Sequence, residues 1–165
     1  MKRSIIPLIG LATIGMAVSA PARSQGVVSV KQMAAEVANG IAMAALEQCR
    51  KDGFRVSVAI VDRAGNLQVL IRDNGAGPHT ADTARRKAYT SASLGISTAE
   101  FATRVANPGA AGLKEISEVI PLAGALPIRA GSDLLGGIGV GGAPGGDKDE
   151  ACAKAGIDKY AAQLK

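Results

Sequence analysis

Residues 136–142, Gly-Gly-Ile-Gly-Val-Gly-Gly, set Gly137, Gly139 and Gly141 in alternation with Ile138 and Val140. Successive side chains of a strand point to opposite faces, so this pattern makes a ribbon with one apolar face and one face carrying no side chains. A bare face is stable only when something approaches it closely. Thr80 to Leu94 has the shape to do so: it repeats at helical spacing with Ala81, Ala84, Ala88 and Ala92 on one side and Asp82, Arg86 and Lys87 away from it. A narrow alanine face lets a helix sit close to a sheet. Direct contact between the glycines and a ligand is the alternative, and the two are compatible if the ligand sits at the far end of the strand.

The remaining elements follow from periodicity and turn chemistry. Val30 to Arg50 places Met33, Val37, Ile41 and Ala45 at helical spacing and stops before Asp52-Gly53, which predicts an amphipathic helix. Arg55–Val61 and Leu67–Arg72 flank the turn residues Asp62 to Asn66 and predict a β-hairpin. A shorter helix is expected over Thr98–Val105, then a Pro- and Gly-punctuated loop from Asn107 to Gly112; Gly112 to Gly124 is ambiguous between a helical turn and a strand. Leu126–Arg129 and Leu134–Gly141 predict a second hairpin. The last helix is expected from about Lys148, with Asp147 as N-cap and Glu150 at capping-box spacing. The order helix, two strands, helices, two strands, helix predicts an α/β (α+β) single domain on one antiparallel sheet flanked by helices.

Residues 1–22 are set apart from the fold. Lys2 and Arg3 precede an apolar stretch, Ile5 to Val18, which ends in Ala20-Pro21-Ala22, the pattern of a cleaved secretory signal. The stretch falls short of the about 20 residues that span a bilayer, so no stable membrane insertion is expected. The domain is then residues 23–165, in the periplasm or secreted. The formal charge of +5 belongs partly to Lys2 and Arg3. With two Phe, two Tyr, no Trp and no long basic run, nucleic-acid stacking is not expected. Cys49 and Cys152 lack metal-ligand spacing, and in an oxidising compartment a disulfide between them is favoured over two buried thiols.

The catalytic patterns tested are absent or fail. Gly137, Gly139 and Gly142 form a GxGxxG, but inside a strand rather than at a strand-to-helix turn, with Pro144 following. Neither GxSxG, HExxH nor CxxC occurs. The turn GGAPGG before Asp147 offers backbone N–H groups to an anion, although a plain helix cap explains it as well. Asp73 to Tyr89, DNGAGPHTADTARRKAY, holds the single histidine, His79, between a glycine-rich turn and a helix start. Imidazole there could ligate a metal, move a proton or simply face solvent.

Three segments, VSVAIVDRAGNLQVLIRDNGAG (56–77), TARRKAYTSAS (83–93) and LPIRAGSDLLGGIGVGGAPGGDKDEACAKAGI (126–157), resemble the GlcG/HbpS family of haem-binding domains. The resemblance implies a central antiparallel sheet flanked by helices, homo-oligomers, haem as cofactor and, in some members, export with a sensor or transporter partner. It does not transfer one axial ligand. On chemical grounds His79 leads as the iron ligand, with Thr80, Tyr89, Met33 and Met43 as alternatives. Arg85, Arg86 and Lys87 are candidates for pairing with haem propionates, or are solvated helix charges. The shortage of aromatics predicts a shallow or intersubunit site. The expected function is haem storage, transport or sensing; a haem-degrading or iron-dependent oxidative enzyme, and a non-haem ligand-binding or scaffolding module, are the alternatives.

Overall fold

The computed structural model describes residues 26–165, so the expected signal segment, 1–22, lies outside the described residues. Within the unit Lys31–Lys165, α1 spans Ala35–Lys51, β1 Ser57–Asp62, β2 Leu67–Arg72, α2 Thr80–Leu94 and α3 Thr98–Val105. A 3-10 segment, Pro108–Glu115, leads to β3, Ala125–Ala130, β4, Asp133–Gly141, and α4, Gly146–Tyr160. The sheet has the order β2-β1-β4-β3 with every pair antiparallel. This is the α+β, single-sheet architecture expected from the element order. None of the described helices is long and apolar enough to cross a membrane.

The two faces of the sheet are filled differently. On one, Val58, Ile60, Ile138 and Val140 meet Ile41, Ala45 and Leu46 of α1 and Ala153 of α4 in the main core. Cys49 and Cys152 are disulfide-bonded there, with a Cα–Cα distance of 5.5 Å. On the other face, Ala59 and Val61 meet only Ala84, Ala88 and Ala92 of α2. The glycines of β4 explain why small residues suffice. A Cβ on Gly139 would lie 2.2 Å from the Ala84 carbonyl oxygen and 2.5 Å from the Ala88 nitrogen, and one on Gly137 2.4 Å from the Ala88 oxygen. The helix backbone itself occupies the space that side chains would take.

Lys87 departs from its expected place on the solvent side of α2. It is buried, and its Nζ donates to the Val140 carbonyl at 2.9 Å and to Asp149 Oδ2 of α4 at 2.7 Å. The close seat of α2 is the reason: at that height Lys87 projects past the sheet rather than into water. It passes Gly124, where a Cβ would come within 2.7 Å of both Nζ and the Asp149 Cβ. Burial pushes the Asp149 carboxyl above the usual carboxylate range, opposed by the Lys87 ammonium and the Ala143 N–H.

Element ends also shift. The first helix begins at Ala35 rather than Val30, and the Met33 carbonyl accepts from Gln68 Nε2 at 3.3 Å instead of serving a helical turn. The last helix begins at Gly146 with Gly145 as N-cap and no side-chain cap, so the Asp147–Glu150 capping box does not form; Asp149, drawn inward by Lys87, receives the Ala143 N–H instead. The expected loop from Asn107 is wound into the 3-10 segment, with Asn107 Oδ1 accepting from Gly109 N. Neither strand nor helix forms between Ile116 and Gly124; that segment crosses the outer side of α2, where Ile120 N donates to Thr90 Oγ1 and Val119 O accepts from Arg86.

Gly139→Ala is expected to cost about 3 kcal/mol, since backbone rather than a movable side chain blocks the added methyl; urea unfolding measures it. Lys87→Met is expected to cost about 3–5 kcal/mol by stranding a buried carboxylate. Lys87→Met with Asp149→Asn, which removes both charges and keeps an acceptor for Ala143, is expected to recover a large part of that loss in the same assay.

Candidate functional site

β2 ends at Arg72, and Asp73 then folds the chain back towards α1 and the entry of β1. Asp73 N donates to the Val56 carbonyl at 3.0 Å, which turns the carboxylate inward; its side chain is 1 % exposed. Arg50, in the last turn of α1, clamps it with Nε on Oδ2 at 3.0 Å and Nη2 on Oδ1 at 2.7 Å. Arg55 adds Nη1 on Oδ2 at 3.5 Å, and Asn74 N donates to Oδ1 at 2.8 Å. The Arg50 hydrogen bonds, followed by the Asn74 N–H and the field of both guanidinium groups, outweigh burial and hold the Asp73 carboxyl down at about 2. Arg72 bridges the next turn, donating through Nε to the Ala76 carbonyl at 3.0 Å.

The turn then delivers His79 to the start of α2. Gly77 accepts from Thr80 N and from Thr80 Oγ1, at 3.0 and 2.7 Å. Because the Thr80 hydroxyl proton is spent on Gly77, Ser57 Oγ donates to Thr80 Oγ1 across 2.7 Å. His79 occupies the N-cap position in helical geometry and caps nothing with its side chain. Its ring lies against Gly77, where a Cβ would be 2.7 Å from Cε1. The imidazole is exposed and makes no hydrogen bond to another described residue. An exposed imidazole thus stands on a turn to which Arg50, Arg55 and Arg72 are anchored.

The other residues singled out from the sequence are dispersed. Thr80 is buried with its hydroxyl engaged. Arg85 pairs with Asp82 at 3.0 Å and with Glu118, and Arg86 donates to the Val119 carbonyl at 3.4 Å; both tie α2 to the crossing segment. Lys87 is inside the fold with Asp149. Tyr89 lies at the other end of α2 from His79, ~15 Å along the axis, and its ring covers Gly65 in the β1–β2 turn. Met33 belongs to the main core and Met43 packs against it. Three further positive charges, Arg50, Arg55 and Arg72, are anchored to the Asp73–Ala76 turn that leads to His79, and none of them stands out in the sequence. Hairpin register was the available signal for one pair: closing the Asp62–Asn66 turn brings Ser57 opposite Arg72 and carries Arg55 beside the residues that follow. Arg50 had no such signal, because only the docking of α1 brings it there.

Asp73 makes acid stability a readout of this cluster. Its folded value lies below its unfolded one, so its contribution is complete above the ordinary carboxylate range and fades as pH falls towards about 2. Asp73→Asn is expected to lower the unfolding temperature at pH 6, and the gap to the wild type is expected to close between pH 4 and pH 2. A gap that persisted at pH 2 would show that the carboxylate charge is not what holds the turn.

Comparison with known proteins places this arrangement. Residues 33–158 match a family model described as haem degrading protein HbpS-like. A double mutant of HbpS from Streptomyces reticuli superimposes with a TM-score of 0.79 at 43% identity, covering 87% of this chain and 97% of that one. The structure of a PduOC:haem complex superimposes with a TM-score of 0.72 at 25% identity, covering 78% and 94%. Protein GlcG of Escherichia coli K12 is 28% identical over 105 residues, 64% of this chain and 78% of the relative. The family match spans α1 to α4 and includes the turn that carries His79: this chain belongs to the HbpS-like family.

Proposed function

We propose that this chain is an exported haem-binding protein that stores, carries or senses haem, and that His79 is the axial iron ligand. The observation that carries the reading is the His79 imidazole, exposed and without a partner among the described residues, at the end of a turn to which three arginines are anchored. Neutral imidazole is a favoured haem ligand. No group of three or more His, Cys, Asp or Glu side chains able to hold a metal occurs among the described residues, so iron here would draw its remaining ligands from a porphyrin. A relative of the same fold is known as a complex with haem. The expected signal at residues 1–22 supports export.

The sheet supplies an apolar surface for the ring. Ala59 and Val61 face α2, and residues directly opposite on an antiparallel partner share a face, so Leu70 and Leu67 of β2 point the same way. At this edge α2 leaves them 43% and 47% exposed. Arg72, opposite Ser57, continues the strip towards His79. A haem held by His79 would meet Leu67 and Leu70, and a second copy of the chain would cover what they leave exposed, which favours a shallow, shared site. Bound haem supplies a Lewis-acidic, redox-active iron. The chain's part is to ligate it through His79, to lay the ring on Leu67 and Leu70, and to keep the carboxylate edge at the basic turn.

Haemin added to the full chain is expected to give a shifted Soret band, and His79→Ala is expected to weaken binding at least about tenfold or to change the charge-transfer bands. An unchanged spectrum and affinity in the variant would remove His79 from the site. A wild-type protein that produced no Soret shift would overturn the haem reading.

A further inference from the structure

Arg50, Arg55 and Arg72 present more donors than the fold consumes. A guanidinium has five N–H donors. Arg50 spends Nε and one Nη2 hydrogen on Asp73, Arg55 reaches the same carboxylate only through Nη1 at 3.5 Å, and Arg72 uses Nε and Nη2 on one carbonyl oxygen. The side chains of Arg50 and Arg55 are 41% and 60% exposed, above an Asp73 that is 1% exposed. The buried carboxylate thus fixes two guanidinium groups from beneath and leaves their outer edges to solvent. It offsets one of three positive charges, and the N-terminus of α2 adds its own positive end beside them.

We infer that this turn is an oxyanion site, in which Arg50, Arg55 and Arg72 bind the paired carboxylates of the ligand and Asp73 acts as a positioning residue. Planar guanidinium groups suit carboxylates because both partners can form two parallel hydrogen bonds. The inference rests on the haem reading for the identity of the ligand and extends it to a specificity: the chain selects porphyrins that carry free carboxylates over those that carry none. It also moves the propionate role away from Arg85 and Lys87, whose charges are paired with Glu118, Asp82 and Asp149.

The test compares haemin with iron(III) protoporphyrin IX dimethyl ester, the same ring with its carboxylates blocked, on the full chain in one mixed solvent. The wild type is expected to prefer haemin by about tenfold or more, and Arg55→Gln and Arg72→Gln are each expected to cut that preference by about three- to fivefold, the scale of exposed ion pairs. Asp73→Asn is expected to lower the same ratio, which a purely structural defect would leave unchanged because it weakens both ligands alike. Arg104→Gln removes an equal charge from α3, where Arg104 pairs with Glu100, and is expected to leave the ratio unchanged. Equal binding of the two porphyrins, or a ratio insensitive to Arg55 and Arg72, would overturn the inference while leaving haem as the ligand. Pyrophosphate, an oxyanion pair without a ring, separates the two ideas in the other direction. If haemin fails to bind but pyrophosphate shifts the Nε–H resonances of Arg50, Arg55 and Arg72, the oxyanion site stands and the haem reading falls; if neither binds, both fall.

Discussion

The contact between the glycine face of β4 and the backbone of α2 governs the rest of the molecule. With 2.2 Å between the Ala84 carbonyl oxygen and the place a Cβ would take on Gly139, the helix cannot rise or slide without opening a void or striking the strand. Interiors tolerate neither well. The height of α2 puts Lys87 below the surface, where its ammonium reaches Asp149 on a helix that packs on the opposite face of the sheet. One close packing therefore generates the buried ion pair, and the ion pair joins α2 to the start of α4. The disulfide between Cys49 and Cys152 then ties α4 to α1.

The same seat fixes the position of His79. The start of α2 is held to β1 by the Ser57–Thr80–Gly77 chain of hydrogen bonds, and the turn before it is pinned by Asp73 to α1 and to the entry of β1. These bonds fix the backbone that carries His79, while its ring stays exposed and makes no hydrogen bond to another described residue. The charges are arranged in two layers, an inner carboxylate and outer guanidinium groups. With Arg50, Arg55 and Arg72 against Asp73, that order leaves the turn net positive.

Much of the fold was legible in the sequence. The alternation of Gly137, Ile138, Gly139, Val140 and Gly141 with the alanine spacing of Ala84, Ala88 and Ala92 contained the central packing, and hairpin chemistry around Asp62–Asn66 contained the register. Element ends were less so, because tertiary bonds decided them: Gln68 takes the Met33 carbonyl, and α4 starts from Gly145 rather than Asp147, with Asp149 of its first turn held inward by Lys87. At the candidate site the sequence singled out His79, which stands exposed at the start of α2, and the charges after it, which the fold disperses. Arg85, Arg86 and Lys87 are neighbours of His79 along the chain, but a helix disperses adjacent residues around its axis. Arg50, Arg55 and Arg72 are distant along the chain and share one turn, which only the meeting of α1, β1 and β2 reveals.

The central claim is that the turn ending in His79 is where haem sits. Ferric haem broadens the resonances of nuclei within reach of its unpaired electrons, so substoichiometric haemin added to the isotope-labelled chain maps the site without any substitution. Selective loss of the amide signals of residues 72–81 and of Leu67 and Leu70, with those of α3 retained, is the predicted result. Loss centred on Tyr89 and Gly65, or on the α3–α4 side of the sheet, with Arg72 to Ala81 intact, would contradict it.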